Sequence, residues 1–367
     1  MVIDTSLRRR DWLALAAASI ALPALATTPV HAPGLLTSWV IDDQAWAGVW
    51  QLGSAPRGVA LPKRAHEVQM LHPALGHPGQ ALAVARRPGE YLLRFDTRTA
   101  RAVLWHDIED DRVFCGHASY ALDGSALYTT ETSTDTGAGF IAVRDPVSLE
   151  KIREFSSGGL DPHMVLVEPD GMLLVANGGL LNLPETGRTK LNLQQMDSSI
   201  ARLDATTGTL RQAWRTSDPF LSLRHLARAP NGSVAIAMQA EHADAAARRN
   251  APLLALLDAQ GLRTIALPEN LALGGYGGDV AYVPGRNSPA DDRFVVSATR
   301  AGQLAWWSAQ GGDPRQLPLP EAGALAAFGP DWLASGAQGG VRGEVASHSL
   351  DRQLASVHWD NHGKWLT

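Results

Sequence analysis

The chain has 367 residues, of which 45% are hydrophobic and 19% charged, so it can bury a sizeable core, and global disorder is excluded. Its 32 basic and 37 acidic side chains give a net charge of −5, which argues against a surface built to bind nucleic acid. The single cysteine, Cys115, excludes an internal disulfide framework and a zinc site made of several cysteines.

The N-terminal residues are typical of an export signal. Residues 8–13 read Arg-Arg-Arg-Asp-Trp-Leu and precede an apolar run that ends at Ala26. This run is shorter than the about 20 apolar residues that a membrane-spanning helix needs, and small residues near its end suit cleavage. The arginine pair before Trp-Leu predicts a twin-arginine signal peptide over residues 1–26, with a general secretory signal as the alternative. We therefore expect a periplasmic protein that keeps no transmembrane anchor after cleavage.

A repeated unit, with one histidine in most copies, fills the greater part of the remaining chain. Each copy opens with alternating apolar residues, passes through a turn and enters a second apolar strand; the six copies begin at His66, His117, His163, His225, Asp279 and Ala324. In the copies from His117, His163 and His225 the turn is Asp-Gly or Asn-Gly, a strong hairpin signal. Two more strands follow each hairpin. Four short strands in each unit of roughly 45 to 60 residues predict a β-propeller.

The two ends of the propeller region complete one further unit. Residues 36–61 predict three strands with no opening strand, and residues 360–366 predict an opening strand with nothing after it. Pairing the two makes a composite blade and removes free sheet edges that invite aggregation. We therefore predict a single all-β domain over residues 35–367, a seven-bladed β-propeller closed by pairing the C-terminal strand with the N-terminal blade.

The first strand of each blade lines the central channel, so blade symmetry brings the aligned residues onto one circle. Those positions are His66, His117, His163, His225, Asp279, Ala324 and His362. Five imidazoles and a carboxylate predict a transition-metal site, for which iron or copper is the leading metal and zinc a further candidate. Ala324 leaves one side of the circle without a ligand. The alternative is that the histidines only brace their own blades.

Other polar residues are candidates to support the imidazoles. Arg64 and Arg224 each flank a ring histidine and are candidates to bind an anion or orient a carboxylate, although arginines that lie at the surface or brace the blades are the favoured alternative. Glu131, Asn177 and Gln239 end the second strands of their blades. They are candidates to hold the second ring nitrogen of a ligating histidine, or else to bond the blade connections. Cys115 is either a soft ligand or a buried inert thiol.

Eight short runs spread over most of residues 60–362 carry a family resemblance. They are Arg86-Arg87-Pro88-Gly89, Gly116-His117, 127–131, Pro162-His163, 176–179, 187–192, 223–226 and 359–362. Together they resemble an uncharacterised bacterial family, the domain of unknown function 1513. The resemblance implies exported propellers, often with twin-arginine signals, whose genes lie near imelysin-like and di-haem proteins in clusters suggestive of iron handling.

Three functions are compatible with these patterns. The leading hypothesis is a periplasmic metal-binding propeller in iron or copper acquisition or handling, with a histidine ring at the channel mouth. The second is a metal-dependent redox or hydrolytic enzyme. The third is a metal-free scaffold that docks a partner, such as the imelysin-like or di-haem periplasmic proteins that the resemblance implies. Fold alone cannot choose among them, because propellers carry unrelated functions.

Overall fold

Short antiparallel strands make up nearly all the regular structure of this protein. In a computed structural model, residues 32–366 are described, apart from residues 184, 185, 187 and 188. Within them, 28 β-strands form seven four-stranded sheets, and a single short α-helix, α1, covers Ala245–Asn250. The predicted signal peptide over residues 1–26 lies outside the described residues and stays a prediction.

The first three blades contain the following strands. Blade 1 contains β28 (His358–Trp365), β1 (Gly34–Ile41), β2 (Gln44–Gln51) and β3 (Arg57–Leu61). Blade 2 contains β4 (Ala65–Met70), β5 (Gln80–Ala85), β6 (Tyr91–Asp96) and β7 (Arg101–Asp107). Blade 3 contains β8 (Arg112–Tyr120), β9 (Leu127–Ser133), β10 (Ala138–Arg144) and β11 (Lys151–Leu160).

The other four blades continue in chain order. Blade 4 contains β12 (Pro162–Val167), β13 (Leu173–Asn177), β14 (Ser199–Leu203) and β15 (Leu210–Trp214). Blade 5 contains β16 (Leu221–Arg228), β17 (Val234–Ala240), β18 (Leu254–Asp258) and β19 (Gly261–Ile265). Blade 6 contains β20 (Gly277–Val283), β21 (Arg293–Ala298), β22 (Gln303–Ser308) and β23 (Gly311–Pro318). Blade 7 contains β24 (Leu325–Phe328), β25 (Asp331–Ser335), β26 (Val341–Val345) and β27 (His348–Arg352).

The hairpin turns form where the dipeptide signals predict them. Gly124, Gly171 and Gly232 have positive φ angles of 76°, 83° and 91°, which glycine adopts without a steric penalty. At each turn the preceding Asp or Asn side chain accepts a hydrogen bond from the backbone two residues on, over 2.9, 3.1 and 3.0 Å. These contacts explain why Asp-Gly and Asn-Gly locate the hairpins.

The C-terminal strand closes the propeller as predicted. Strand β28 pairs antiparallel with β1, in a register that opposes Trp365 to Leu35 and His358 to Val40. Its Trp359 packs edge-on against Trp39 and Trp50, with ring centroids 6.1 and 6.2 Å apart. The predicted seven-bladed, all-β architecture with a composite first blade is therefore confirmed.

The hydrophobic core lies between neighbouring blades. One buried cluster joins Leu254 and Leu256 of blade 5 to Phe294 and Val296 of blade 6, and similar clusters join other neighbours. Residues Pro33–Thr367 form one compact unit. None of the helices in the described part of the chain is long and apolar enough to cross a membrane.

Candidate metal centre

The innermost strands are irregular where the predicted ring residues lie. In six blades the pairing of the innermost strand with its neighbour shifts register at or next to the ring position. In five of them the shift lies on the strand that carries the ring residue, over Ala65–Glu67, Phe114–Ala118, Pro162–Met164, Leu223–His225 and Gly277–Val280. In blade 1 it spans Thr37–Trp39 of β1, opposite His362. In blade 7, whose ring position is Ala324, β24 pairs with β25 without a shift. A bulge re-aims a side chain relative to its strand. The irregular strands thus give the ring residues their orientation.

All five predicted histidines come together where the innermost strands meet. Each is at most 9% exposed, and the ring centroids of nine pairs lie 4.4–6.1 Å apart. Four of them are here called the four-histidine cluster, which is made of His66, His117, His225 and His362. Each offers one nitrogen, and these nitrogens all lie within 4.8 Å of one another. The cluster could therefore hold a metal ion.

The contact between His66 and Gly116 shows how closely the rings are packed. Gly116 has φ +110°, and a Cβ there would lie 2.4 Å from Cδ2 of His66. No side chain fits at this separation, so glycine before His117 makes room for the neighbouring imidazole.

Several buried nitrogens of the cluster have no hydrogen-bond partner among the described residues. They are both ring nitrogens of His66, Nε2 of His117, Nδ1 of His225 and Nε2 of His362. Buried polar atoms nearly always have a partner, so such a group calls for an explanation. A neutral imidazole presents one lone-pair nitrogen, which is a ligand for transition metals. The unpartnered nitrogens of His66, His117 and His362 are therefore donors suited to a metal ion.

Two carboxylates hold two of these rings from behind. Nδ1 of His117 lies 3.1 Å from Oε2 of Glu67, and Nδ1 of His362 lies 3.1 Å from Oδ1 of Asp279. With the proton on Nδ1, each ring keeps its lone pair on Nε2, the nitrogen without a partner. Ligating histidines usually donate their second N–H to a carboxylate in this way.

Asp279 contacts Nδ1 of His362, and both of its carboxylate oxygens also accept hydrogen bonds from the backbone. Oδ1 also accepts from the backbone N–H of Val280 at 2.9 Å, and Oδ2 accepts from that of Leu325 at 3.0 Å. Ala324, buried between Asp279 and His362 in the circle, has no long side chain to separate them. That Asp279 is itself a ligand stays a prediction.

His163 is held by protein contacts and lies outside the four-histidine cluster. Its Nε2 lies 2.7 Å from Nε2 of His225, and its Nδ1 lies 3.3 Å from a guanidinium nitrogen of Arg224. Because a guanidinium only donates, Nδ1 of His163 accepts, and its ring proton lies on Nε2 and points to His225. His163 and a metal ion would therefore compete for the Nε2 lone pair of His225.

Burial disfavours the charged form of four of the rings. It lowers the pKa of His66, His163 and His225 well below the ordinary value, and repulsion among the rings lowers these values further. Burial also lowers the pKa of His117, against the opposing effect of Glu67. Burial acts to raise the pKa of Glu67, but Lys364, 3.0 Å away, and His117 hold it well below its usual range. Neutral imidazoles beside an ionised carboxylate are the protonation state that metal binding needs.

These depressed pKa values predict how the stability of the metal-free protein depends on pH. Above about pH 6.5 the rings are neutral in both states, but below it the unfolded chain takes up protons that the folded chain does not. We expect the free energy of unfolding to fall as the pH drops from 7 to 5, by up to about 1.4 kcal/mol per pH unit for each such ring. Urea unfolding at a series of pH values measures this, with the exposed His348→Gln as the control variant. A free energy of unfolding that is constant over this range would contradict it.

The carboxylate behind His117 yields a second prediction. Glu67→Gln keeps the shape of the side chain and an oxygen that can accept from His117, but it removes the negative charge. We expect the affinity for metal to fall about 10–100-fold, the usual cost of losing such a supporting group. Competition with a chelator measures the affinity. Glu154→Gln, which changes a carboxylate paired with Arg112 away from the rings, is the matched control and should leave the affinity unchanged.

The other predicted supporting residues have different partners. Arg64 donates two hydrogen bonds of 2.8 Å to Asp360, and Glu131 accepts from the buried Arg144 at 2.8 and 3.0 Å. Asn177 donates to the carbonyl of Ser157 at 3.0 Å, and Gln239 lines a cavity. Of the predicted supporting set, Arg224 is the residue that contacts a ring histidine in the described structure.

Cys115 is a buried thiol whose sulfur lies 3.1 Å from the hydroxyl of Thr132. Burial raises the pKa of the thiol to about 11. A protonated thiol is a poor ligand, because metals bind the thiolate.

Two cavities reach the histidines from different sides. The first, of about 350 Å³, is lined by His66, His163 and His225 together with Arg86, Arg87 and Arg224, and is called here the arginine cavity. The second, of about 290 Å³, is lined by His117 and His362 together with Glu67 and Asp279. Cavities of about this size hold small molecules. A metal ion on the cluster would thus be accessible to small ligands.

Comparison with known proteins agrees with the architecture. Residues 59–366 match a family described as "Protein of unknown function (DUF1513)". A search of curated proteins found no match. Hydrazine synthase of Kuenenia stuttgartiensis is similar in structure, with a TM-score of 0.56 and 13% identity over 85% of this chain and 90% of that chain.

A second similar structure is a catalytically inactive virginiamycin B lyase from Staphylococcus aureus with quinupristin. Its TM-score is 0.53, with 11% identity over 78% of this chain and 83% of that chain. At such low identity these likenesses show the fold alone.

Proposed function

The chain belongs to the DUF1513 family, and on that premise we propose that it is a periplasmic propeller that binds one transition-metal ion on its four-histidine cluster. Its role would be iron or copper acquisition or handling. The observation that carries this proposal is that four buried histidines each offer a nitrogen within 4.8 Å of the others. Each of these rings also has a buried nitrogen without a hydrogen-bond partner among the described residues.

The donor set favours a transition metal over magnesium or calcium. All four members of the cluster are imidazoles, whereas magnesium and calcium prefer oxygen ligands. Glu67 and Asp279 bring two carboxylates close behind the rings, and Lys364 offsets one of them. On the side of His117 and His362 these carboxylates provide the negative charge that favours a cation.

The spacing suits a single ion. Two ligands on opposite sides of one metal are about 4.1 Å apart when each bond is about 2.0–2.1 Å long. The nitrogens of the cluster lie within 4.8 Å, so small ring rotations close the difference. A rotation of His66 would break no hydrogen bond, since neither of its nitrogens has a partner among the described residues.

Metal analysis of the full-length protein, purified from the periplasm after metal-replete expression, tests the proposal. We expect each chain to bind about one iron or copper ion and to keep it through gel filtration, because four imidazole ligands hold a transition metal tightly. Zinc alone would support the site and overturn the choice of metal. A protein that carries none of iron, copper, zinc or nickel, and binds none afterwards, would overturn the proposal and favour the metal-free scaffold.

A metal-dependent redox or hydrolytic enzyme is the second candidate. The observation that favours it is the arginine cavity, which gives a small molecule access to three ring histidines. Turnover assays on metal-loaded protein separate an enzyme from a carrier. The imelysin-like and di-haem periplasmic proteins implied by the family resemblance are the partners proposed for either function.

A further inference from the structure

The arginine cavity carries an excess of positive charge. Asp161 lies between two guanidiniums, because Arg224 is 2.8 Å from its Oδ2 and Arg87 pairs with its Oδ1. Arg86, which also lines the cavity, lies 3.2 Å from Asp360, and Asp360, which does not line it, also pairs with Arg64 at 2.8 Å. These two groups together contain four guanidiniums and two carboxylates, which leaves two positive charges in excess.

The remaining charged pair of this cavity does not offset that excess. Lys190 pairs with Glu241, so these two side chains cancel each other. The excess charge therefore remains for a bound group to neutralise.

One of these guanidiniums is buried and incompletely bonded. Arg224 is 4% exposed, and its Nε has no hydrogen-bond partner among the described residues. Burial and repulsion from Arg224 lower the pKa of Arg87 to about 10. Burying a charge is costly unless it is paired and hydrogen-bonded, so the cavity is suited to an anion.

The backbone is shaped to keep the Arg224–Asp161 pair in place. Asp161 has φ +56°, a conformation that few residues other than glycine adopt. A Cβ on Gly178 would lie 2.5 Å from Oδ2 of Asp161 and 2.9 Å from Cζ of Arg224. Any residue larger than glycine at position 178 would therefore displace the ion pair from its present position.

We propose that the arginine cavity binds a small organic acid with at least two carboxylates, one at Arg87 and Arg224 and the other at Arg86. Two excess charges on two different ion-pair groups match a ligand with two separate anionic groups better than a single inorganic anion. Guanidiniums recognise carboxylates through paired hydrogen bonds. This inference deepens the proposed function. One part of it rests on that function: with a metal ion on the four-histidine cluster, an oxygen of the acid would reach the ion from the side of His66.

Titration calorimetry of chelator-stripped full-length protein tests the carboxylate site without metal. Citrate is the probe, and acetate and inorganic phosphate are the comparison anions. We expect citrate to bind at least tenfold more tightly than either. Arg87→Gln should weaken citrate at least tenfold and leave the metal content unchanged. Arg86→Gln, on the other ion-pair group, should weaken citrate but not acetate, and it provides a second variant if Arg87→Gln does not fold.

Two further variants separate this site from the metal site. His117→Ala, whose ring lines the other cavity, should lose metal yet leave citrate binding by the stripped protein unchanged. Arg228→Gln, on the same strand as Arg224 but lining that other cavity, is the matched control and should change neither.

Three outcomes would overturn the inference. They are no citrate binding by the stripped protein, equal binding by wild type and Arg87→Gln, or phosphate binding as tight as citrate. A protein that binds no metal but loses citrate with Arg87→Gln would support the carboxylate site and overturn the proposed metal function.

Discussion

Replacing His66 and His362 together by alanine is expected to remove most of the bound metal. Each ligand holds the ion in place for the others, so the loss should exceed the sum of the two single effects. Loss of a mere supporting group costs about 10–100-fold in affinity, so two missing ligands should cost more than about 100-fold. His66→Ala breaks no hydrogen bond, since neither nitrogen has a partner in the described structure. Metal content and chelator competition measure the effect.

His163→Ala is the informative control for this experiment. Both nitrogens of His163 are engaged, by His225 and by Arg224. Its removal frees Nε2 of His225, so this variant should keep its metal. His72 and His242 lie outside the ring, so His72→Ala and His242→Ala should also keep the metal. If the histidines only brace the blades, the double variant would instead lose thermal stability in a protein that held no metal beforehand.

The fold could be read from the sequence because its signals are local. An Asp-Gly or Asn-Gly turn at positions such as 123–124 and 231–232 fixes a hairpin without reference to the rest of the chain. Once the hairpins are located, the histidines that precede them occupy equivalent places in successive blades. Blade symmetry alone then brings His66 and His117 together, although 50 residues separate them.

The supporting residues could not be read in the same way, because they come from other blades. Glu67 of blade 2 holds His117 of blade 3, and Asp279 of blade 6 holds His362 of blade 1. The ends of the second strands, where the sequence predicts supporting residues, belong to the same blade as each histidine, whereas Glu67 belongs to the neighbouring blade. The one available signal was an acid directly after His66 in a strand that is otherwise mostly buried.

The hydrogen bonding of His163, whose role as a ligand stays a prediction, also depends on contacts between blades. Arg224 of blade 5 approaches His163 of blade 4, and this contact determines which nitrogen of His163 carries the proton. The register shifts that aim the rings are equally hidden, because a bulge depends on two strands rather than on one.

Deleting residues 358–367 is expected to destabilise the whole propeller. The deletion removes β28, which is the innermost strand of blade 1, and leaves β1 with an unpaired edge. It also removes Trp359 from its contacts with Trp39 and Trp50. Loss of a buried tryptophan side chain alone costs about 3–5 kcal/mol, against a total of about 5–15 kcal/mol for a native domain.

The expected result is therefore failure to fold or a fall in Tm of at least about 10 °C. Differential scanning calorimetry of metal-free protein measures this and keeps the loss of His362 as a ligand out of the comparison. The matched control is a deletion of residues 366–367 alone, which keeps every residue of β28 and should melt close to the full-length protein. A variant without residues 358–367 that melts within about a degree of the full-length protein would show that blade 1 does not depend on its C-terminal strand. So would an intact protein whose final residues are cut by protease under native conditions, because a strand paired to β1 and packed against two tryptophans is protected.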